Sequence, residues 1–197
     1  MYPILILAAG TSSRMRGRDK LLEPIDGTPM LSHIAEQAAG TGAPVFAVLP
    51  GPNHVRYEIL KGTKVICFDV PDSKEGVGGT LRGGVKRLPP CDAFMIVLAD
   101  LPELRTADFA AVSAARKTSP DKLVWRGATQ DGKPGHPILF DGSLRPRFEE
   151  LSGDSGGSPL LQSLKDQTCL VRLPGDHARL DLDTPEEWQA WREARQG

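Results

Sequence analysis

Near its start the chain reads Ile4-Leu5-Ile6-Leu7-Ala8-Ala9-Gly10-Thr11-Ser12-Ser13-Arg14-Met15-Arg16-Gly17-Arg18-Asp19-Lys20-Leu21-Leu22, an apolar run that passes abruptly into small and then basic residues. A short, wholly apolar run is typical of a buried parallel strand. The loop that follows holds Gly10, whose missing side chain lets a ligand approach the backbone. Consecutive backbone N–H groups and four cations favour the binding of a polyphosphate there. The alternative interpretation is a solvated basic loop.

Two familiar phosphate-binding motifs are absent from this stretch. A P-loop requires Gly-Lys-Ser/Thr at the start of a helix, whereas Gly17 is followed here by Arg18-Asp19-Lys20. The dinucleotide fingerprint requires three glycines in a G-x-G-x-x-G turn, and only Gly10 is present. The stretch therefore predicts neither a standard kinase or ATPase loop nor a site for NAD.

The composition is that of an ordinary globular chain of 197 residues, 40% hydrophobic and 25% charged. One domain over residues 1–197 is expected at this length. A net charge of −1 gives no basic field for nucleic acid or an anionic membrane, so small molecules are the expected partners. Three widely spaced cysteines favour a reducing compartment, and no apolar run approaches a membrane span. We therefore expect a cytoplasmic protein without a membrane segment.

Apolar runs and helical patterns alternate through the first 120 residues. The apolar runs after the first lie at 44–49, 64–68 and 93–99, and the last is the most hydrophobic. Thr28-Pro29 is expected to cap and start a helix that continues to Gly40. Beyond residue 123 the strands become shorter, and Thr184-Pro185-Glu186-Glu187 opens a last helix as a capping box. The pattern predicts an α/β fold, a Rossmann-like, doubly wound and mostly parallel sheet with helices on both faces.

Asp100 directly follows the most hydrophobic strand, in Leu98-Ala99-Asp100-Leu101-Pro102. Ligands of open α/β sheets lie beyond the carboxyl ends of the strands. A carboxylate there, across from a polyphosphate loop, suits Mg²⁺, which binds one or two protein carboxylates together with phosphate oxygens. The alternative interpretation is an Asp that forms a turn before Leu-Pro.

The opening stretch resembles the signature of nucleotidyltransferases that activate phosphorylated small molecules, L-A-A/G-G-x-S-x-R-M-x-x-D-K. Residues 7–20 match every defined position, except that Arg16-Gly17-Arg18 is one residue longer than the commonest spacing. The L-A-A-G form followed by Lys20-Leu21-Leu22 is most similar to the molybdenum-cofactor cytidylyltransferase branch of the MobA-like NTP transferases. This resemblance spans essentially the whole chain, with three motifs in the family's order.

The resemblance implies roles for the polar residues of the loop. Arg14 would hold the β- and γ-phosphates of a nucleotide, and Lys20 would hold the α-phosphate and its developing charge. The residues implied in nucleotide binding are Leu7, Ala8, Ala9, Gly10, Thr11, Ser12, Ser13, Gly78, Gly79 and Thr80, the last three at the nucleobase. Glycines like those at 78 and 79 more often start a helix than bind a base.

Metal and acceptor residues are also implied by the resemblance. Asp100 occupies the position of the magnesium-binding acid in the family's A-D-x-P motif. The segment 181–186 is similar to D-x-D-T-P-E, so Asp183 is expected as the second metal ligand, with Asp181 in support; the alternative is a pair of acids favoured by the helix dipole. His136, in a segment similar to G-x-P-G-H-P, and Asp154, in one similar to G-D-x-G, are expected to contact the acceptor. A structural histidine is the alternative at position 136.

The resemblance implies a Mg²⁺-dependent enzyme that transfers CMP from CTP to a phosphorylated acceptor and releases pyrophosphate. Molybdenum-bound molybdopterin is the expected acceptor and a molybdoenzyme the expected protein partner, with residues 1–120 binding the nucleotide and 121–197 the acceptor. At Ala9, guanylyl-transferring relatives more often have glycine. The additional methyl group on the floor of the nucleotide site should crowd a purine more than a pyrimidine, which favours CTP over GTP. The alternatives are a GTP-dependent molybdenum cofactor guanylyltransferase, a sugar- or alcohol-phosphate nucleotidyltransferase, and a non-catalytic nucleotide-binding chaperone.

Overall fold

The computed structural model describes residues 1–195. Its strands are β1 (Ile4–Leu7), β2 (Pro24–Ile25), β3 (Thr28–Pro29), β4 (Val45–Val48), β5 (Ile66–Phe68), β6 (Ala93–Leu98), β7 (Val124–Ala128), β8 (Pro134–Asp141) and β9 (Thr168–Arg172). Its α-helices are α1 (Met30–Ala39), α2 (Val55–Leu60), α3 (Val77–Arg87), α4 (Thr106–Thr118), α5 (Ser158–Ser163) and α6 (Pro185–Ala194). Within these residues every helix is too short or too polar to span a lipid bilayer.

Seven of the described strands form one sheet in the order β5-β4-β1-β6-β8-β7-β9. β1 pairs in parallel with β4 and β6, as β7 does with β9. β8 runs antiparallel to both β6 and β7. Its pairing with β7 follows from the short turn 129–133 that joins them, because such a turn reverses the chain. The predicted mostly parallel α/β sheet is confirmed.

Helices cover both faces of the sheet, because neighbouring residues of a strand point to opposite faces. On one face Ile4 and Ile6 pack in a cluster with α1, α4 and α6. On the other face Leu5 packs with α3, α5 and the 3₁₀ segment Gly142–Glu150. Fully burying one such side chain contributes roughly 1.5–3 kcal/mol, which explains why the central strands are apolar at every position.

The carboxyl ends of β1 and β6 meet at the centre of one edge of the sheet. Leu7 lies opposite Leu98 in the β1–β6 register, and the Ala99 N–H donates to the Leu7 carbonyl at 3.2 Å. The loop that leaves β1 therefore begins beside Asp100. Because β8 is antiparallel to β6, it starts near this same edge.

The expectation that Thr28-Pro29 caps the first long helix is wrong. These residues form β3, a two-residue strand that pairs antiparallel with β2. Asp26 and Gly27 between the two strands have positive φ angles of 49° and 83°, as a tight hairpin turn requires. The helix α1 begins after this hairpin without a side-chain cap.

Candidate active site

A buried arginine, Arg56 of α2, holds the loop that follows β1. Its side chain is 2% exposed. The guanidinium donates to the carbonyls of Ala8 at 2.6 Å and Gly10 at 2.8 Å. It also binds both carboxylate oxygens of Asp19, with Nε–Oδ2 at 2.8 Å and Nη2–Oδ1 at 2.6 Å. One guanidinium therefore joins the beginning of the loop to its end and fixes the shape of residues 8–19.

Ser12 supports the same loop from within. Its backbone is left-handed, with φ 52°, and its hydroxyl donates to Asp19 Oδ1 at 3.2 Å. The hydroxyl also accepts a hydrogen bond from the Lys20 backbone N–H at 3.3 Å. The Ser12 side chain is thus engaged in the structure of the loop, which sets the direction in which Lys20 leaves it.

Lys20 lies between the two aspartates that are expected to bind a metal. Its Nζ donates to Asp100 Oδ2 at 2.5 Å and to Asp183 Oδ1 at 2.6 Å, although these residues stand 80 and 163 positions away along the chain. Arg14, whose side chain is 68% exposed, forms a further ion pair with Asp183 at 2.7 Å. The structure therefore brings Arg14, Lys20, Asp100 and Asp183 together at the edge of the sheet.

The charged side chains of this cluster shift one another's pKa values. Burial alone would lower the pKa of Lys20, but the charges and hydrogen bonds of Asp100 and Asp183 raise it above its ordinary value. Burial alone would raise the pKa of Asp183, but the hydrogen bond and charge of Lys20, with the charge of Arg14, lower it. Burial and the negative charges of Asp183 and Asp100 raise the pKa of Asp181. The cations present therefore leave uncompensated negative charge beside Asp181.

The three aspartates have the donor set of a divalent-cation site. One carboxylate oxygen from each of Asp100, Asp181 and Asp183 lies within 4.8 Å of the others. Asp100 Oδ1 is buried and has no hydrogen-bond partner in residues 1–195. A buried polar atom without a partner is costly, so this oxygen favours a ligand that can reach it. Carboxylate oxygens are the donors that hard cations such as Mg²⁺ prefer.

The N-terminus of α6 fixes the position of Asp183. The Thr184 hydroxyl accepts from the Glu187 N–H at 3.3 Å, and Glu187 Oε2 accepts from the Thr184 N–H at 2.9 Å. The same Oε2 accepts from the Asp183 N–H at 2.8 Å. The predicted capping box is confirmed, and it holds the backbone of Asp183 directly.

A cleft of about 580 Å³ opens beside the cluster. Lys20 and Asp100 line it at one end, and Thr80 and Asp154 line it near α3. The residues of the opening stretch that line it are Leu7, Ala8, Ala9, Gly10, Thr11, Lys20 and Leu21. Within the described chain, Ser12 and Ser13 lie outside this lining. The volume is in the range of small-molecule sites, roughly 300–1,000 Å³.

Gly78 and Gly79 pack within α3 and, among the described residues, do not line the cleft. A Cβ atom on Gly78 would lie 2.6 Å from the Ser152 backbone, and one on Gly79 would collide with the Asp72 carbonyl oxygen. The Gly78 N–H donates to the Gly153 carbonyl at 2.8 Å. These two glycines therefore allow α3 to approach neighbouring backbone closely.

A narrower cavity of about 290 Å³ continues from the cleft toward β7. Asp154 lies where the two meet, since it lines both, and His136 lines the narrow cavity. Burial and the nearby charge of Arg126 lower the pKa of His136 to about 4, against the opposing effect of Asp100. His136 is therefore a neutral imidazole at physiological pH.

The fold and the cluster agree with the comparison to known protein families. The family model for the MobA-like NTP transferase domain matches residues 4–191. The chain belongs to this family. It is therefore a member of a nucleotidyltransferase family, as the resemblance of its opening stretch implies.

Individual relatives of this MobA-like NTP transferase are distant. The bifunctional protein GlmU of Burkholderia mallei (strain SAVP1) is 30% identical over 113 residues, which are 57% of this chain and 25% of GlmU. This chain thus spans about a quarter of the length of the curated relatives that it matches. Rv0371c from Mycobacterium tuberculosis H37Rv is 25% identical, with a TM-score of 0.80 over 98% of both chains.

Two further solved structures support the fold. A complex of Rv0371c with manganese is 22% identical, with a TM-score of 0.75 over 98% of both chains. A CMP:2-keto-3-deoxy-manno-octonic acid synthetase complexed with CTP is 16% identical, with a TM-score of 0.79 over 100% of this chain and 99% of that one. At these identities the likeness establishes the architecture alone.

Two arginines of this MobA-like NTP transferase were missed by the sequence analysis. Arg56 is buried against the loop, and Arg126 of β7 lines the narrow cavity. Arg126 stands within the apolar run 123–128, so a cation in an apolar strand was an available signal. For Arg56 the local sequence offered no comparable signal, since arginine is common on the polar side of short helices.

Proposed function

We propose that this protein is an enzyme that transfers a nucleoside monophosphate from an NTP to a phosphorylated acceptor and releases pyrophosphate. The observation that carries the proposal is that Lys20 and Asp100 line a cleft built from the loop after β1 and that Lys20 also binds Asp183. A cation and two carboxylates held there suit a triphosphate and its metal. Residues 1–120 would bind the nucleotide and residues 121–197 the acceptor, as parts of one domain over 1–197.

In this reaction an oxygen of the acceptor's phosphate attacks the α-phosphorus of the NTP, and the bond from that phosphorus to the leaving pyrophosphate breaks. No covalent bond to the protein forms, so catalysis would rest on positioning and charge neutralisation. Arg14, which is exposed and forms an ion pair with Asp183, would bind the β- and γ-phosphates. Lys20 would stabilise the charge that develops on the α-phosphate.

Asp100 and Asp183 would hold a divalent cation, which we propose to be Mg²⁺, with Asp181 in support. The cation would neutralise phosphate charge when bound. The fit rests on the unpartnered Asp100 Oδ1 and the close approach of the three carboxylates. Lys20 Nζ bonds two of these carboxylates in the free protein, so Lys20 would exchange them for the α-phosphate when nucleotide and metal bind.

We propose CTP as the nucleotide and molybdenum-bound molybdopterin as the acceptor, with a molybdoenzyme as the protein that receives the product. The Ala9 methyl group supports CTP, because Ala9 lines the cleft and leaves less room for a purine. Thr80, which lines the cleft, would contact the nucleobase, and Gly78 and Gly79 would position Thr80 by allowing α3 to pack closely against neighbouring backbone. His136 and Asp154 would contact the acceptor, since both line the narrow cavity.

The first test is pyrophosphate release in Mg²⁺ with each NTP and a molybdopterin acceptor. We expect turnover with CTP and a loss on the order of 100-fold or more in Asp100→Asn, as for removal of one electrostatic stabiliser. Asp166→Asn, on an exposed residue remote from the cluster, is the control and should keep wild-type activity. Nucleotide binding without pyrophosphate release would instead support a non-catalytic chaperone.

Nucleotide choice is tested by thermal shift with CTP, GTP, ATP and UTP in Mg²⁺, because binding stabilises the folded state by mass action. We expect CTP to stabilise most, and Ala9→Gly to narrow the gap between CTP and GTP. One methyl group in a pocket is worth roughly 1–3 kcal/mol, so reversal of the order is not required. Equal or greater stabilisation of the wild type by GTP would assign the guanylyltransferase branch.

A further inference from the structure

The narrow cavity ends at a cation that lacks an anionic partner. Arg126 of β7 is half-buried, and its Nε donates to the Gly135 carbonyl at 2.9 Å. Within residues 1–195 its two terminal nitrogens have no hydrogen-bond partner, and no carboxylate pairs with it. Burial and the nearby Arg179 lower its pKa, which is the sign of a cation in surroundings that do not compensate it. Such a guanidinium favours an anion that can reach it.

The shape of the cavity connects this arginine to the nucleotide cleft. Its floor crosses four neighbouring strands, with Leu7 on β1, Leu98 on β6, His136 on β8 and Arg126 on β7. The walls are mainly apolar, with residues such as Leu81 of α3 covering the floor. We call this cavity the slot: its middle is apolar, it meets the cleft at Asp154, and Arg126 lies on the β7 side of its floor.

The charges at the two ends of the slot are opposite. Asp154 lies at the junction with the cleft and would repel an anion that stopped there. Arg126 lies at the far end, where it also lines an adjoining cavity together with Lys165. An elongated ligand in the slot would therefore place an acidic group at the Arg126 end.

We propose that Arg126 binds a second anionic group of the acceptor, a carboxylate or a phosphate, remote from the phosphate that takes up the nucleotidyl group. β7 lies two strand spacings, about 10 Å, from β6, and Arg126 is in register with Ile96, four residues before Asp100, so the two acidic groups would lie diagonally across the floor. The apolar lining of the slot suits a hydrocarbon or aromatic part of the ligand between them. This inference rests on the proposed nucleotidyl transfer and concerns its sugar- or alcohol-phosphate alternative, because molybdopterin itself has one phosphate and no carboxylate.

The test compares two probes that differ in one anionic group, 4-carboxyphenyl phosphate and phenyl phosphate. Calorimetry is carried out with Mg²⁺ and the unreactive analogue α,β-methylene CTP. We expect the wild type to bind the carboxylated probe at least tenfold more tightly, the effect of one charge-assisted fork on a carboxylate. Arg126→Met should bind both probes equally, and Arg126→Lys should show a reduced preference because it keeps the charge without the fork.

Arg172→Met is the matched control, because Arg172 is an exposed arginine on the adjacent β9 that lines neither cavity. The Arg172→Met variant should keep the full wild-type preference for 4-carboxyphenyl phosphate over phenyl phosphate. Equal binding of the two probes by the wild type, or an unchanged preference in Arg126→Met, would overturn the proposal. Thermal stabilisation of the wild type by the analogue alone tests the proposed function separately. If the analogue does not stabilise the protein while the preference for the carboxylated probe persists, the anion site at Arg126 is supported and the assignment of CTP as the nucleotide is refuted.

Discussion

Replacing Arg56 with methionine removes the guanidinium that holds the two ends of the loop after β1. Methionine keeps much of the length and apolar bulk of the side chain, so the change isolates the hydrogen bonds. The variant loses two bonds to Asp19, at 2.6 and 2.8 Å, and the bonds to the carbonyls of Ala8 and Gly10. Asp19, whose side chain is 15% exposed, is then left as a largely buried carboxylate without its cation.

The expected loss in the free energy of unfolding follows from the burial of the Asp19 carboxylate. Removal of one partner from a buried ion pair destabilises a protein by roughly 3–5 kcal/mol, because the remaining charge is uncompensated. Arg56→Lys should recover only part of this, since an ammonium cannot bind both Asp19 oxygens and both carbonyls. The double variant Arg56→Met/Asp19→Asn should be more stable than Arg56→Met alone, because the stranded charge is gone.

The measurement is the free energy of unfolding from equilibrium urea titrations of each variant. Lys61→Met is the control, because Lys61 directly follows α2 and forms only an exposed pair with Glu58 at 3.2 Å. That pair is worth about 1 kcal/mol or less. If Arg56→Met lost no more stability than Lys61→Met, the role of Arg56 in holding the loop would be refuted.

Three further predictions concern the cluster, α3 and the slot. In the absence of nucleotide, Lys20→Met should bind Mn²⁺ about tenfold more tightly than the wild type, because the metal no longer has to displace two charge-assisted hydrogen bonds. The same variant should release pyrophosphate more slowly. Weaker binding of Mn²⁺ by the variant in calorimetry would contradict this prediction. Gly79→Ala should destabilise the fold by about 1–3 kcal/mol, because the new methyl meets the Asp72 carbonyl, whereas Gly51→Ala, in open space, should be near neutral in urea titrations. The pKa of His136 falls from 6.5 to about 4 on folding, so the native state binds fewer protons than the unfolded state in this range. The free energy of unfolding should therefore decrease as the pH falls from 6.5 toward 4. If the free energy of unfolding of His136→Gln depended on pH as steeply as that of the wild type, another group would be responsible.

Much of the architecture follows from local sequence patterns. The apolar runs that became β1, β4 and β6 identified the central parallel strands, because strands covered on both faces are apolar throughout. The position of Asp100 directly after β6 placed it at the carboxyl edge without further information. The hairpin of β2 and β3 was missed, since its strands have two residues each and carry no periodicity.

The internal contacts of the site depend on the path of the chain and were not predicted. Lys20 meets Asp183 across 163 positions, and Arg56 meets Asp19 across 37. Neither separation has a periodicity that a local pattern could reveal. The surroundings of Arg126 also depend on the fold, because they come from α3, α5 and three other strands, although its place in an apolar strand was a local signal. Sequence motifs identified the candidate reactive residues, whereas the residues that hold them in place could be identified only from the tertiary structure.

The most direct test of a metal-assisted nucleotide site is a crystal structure of the protein with CTP and Mn²⁺, with anomalous data that locate the metal. We predict one Mn²⁺ peak within about 2.5 Å of carboxylate oxygens of both Asp100 and Asp183. We also predict CTP in the 580 Å³ cleft and Lys20 Nζ moved from the aspartates to the α-phosphate. CTP bound in the cleft with Lys20 still between the aspartates and the metal elsewhere would contradict the proposed site.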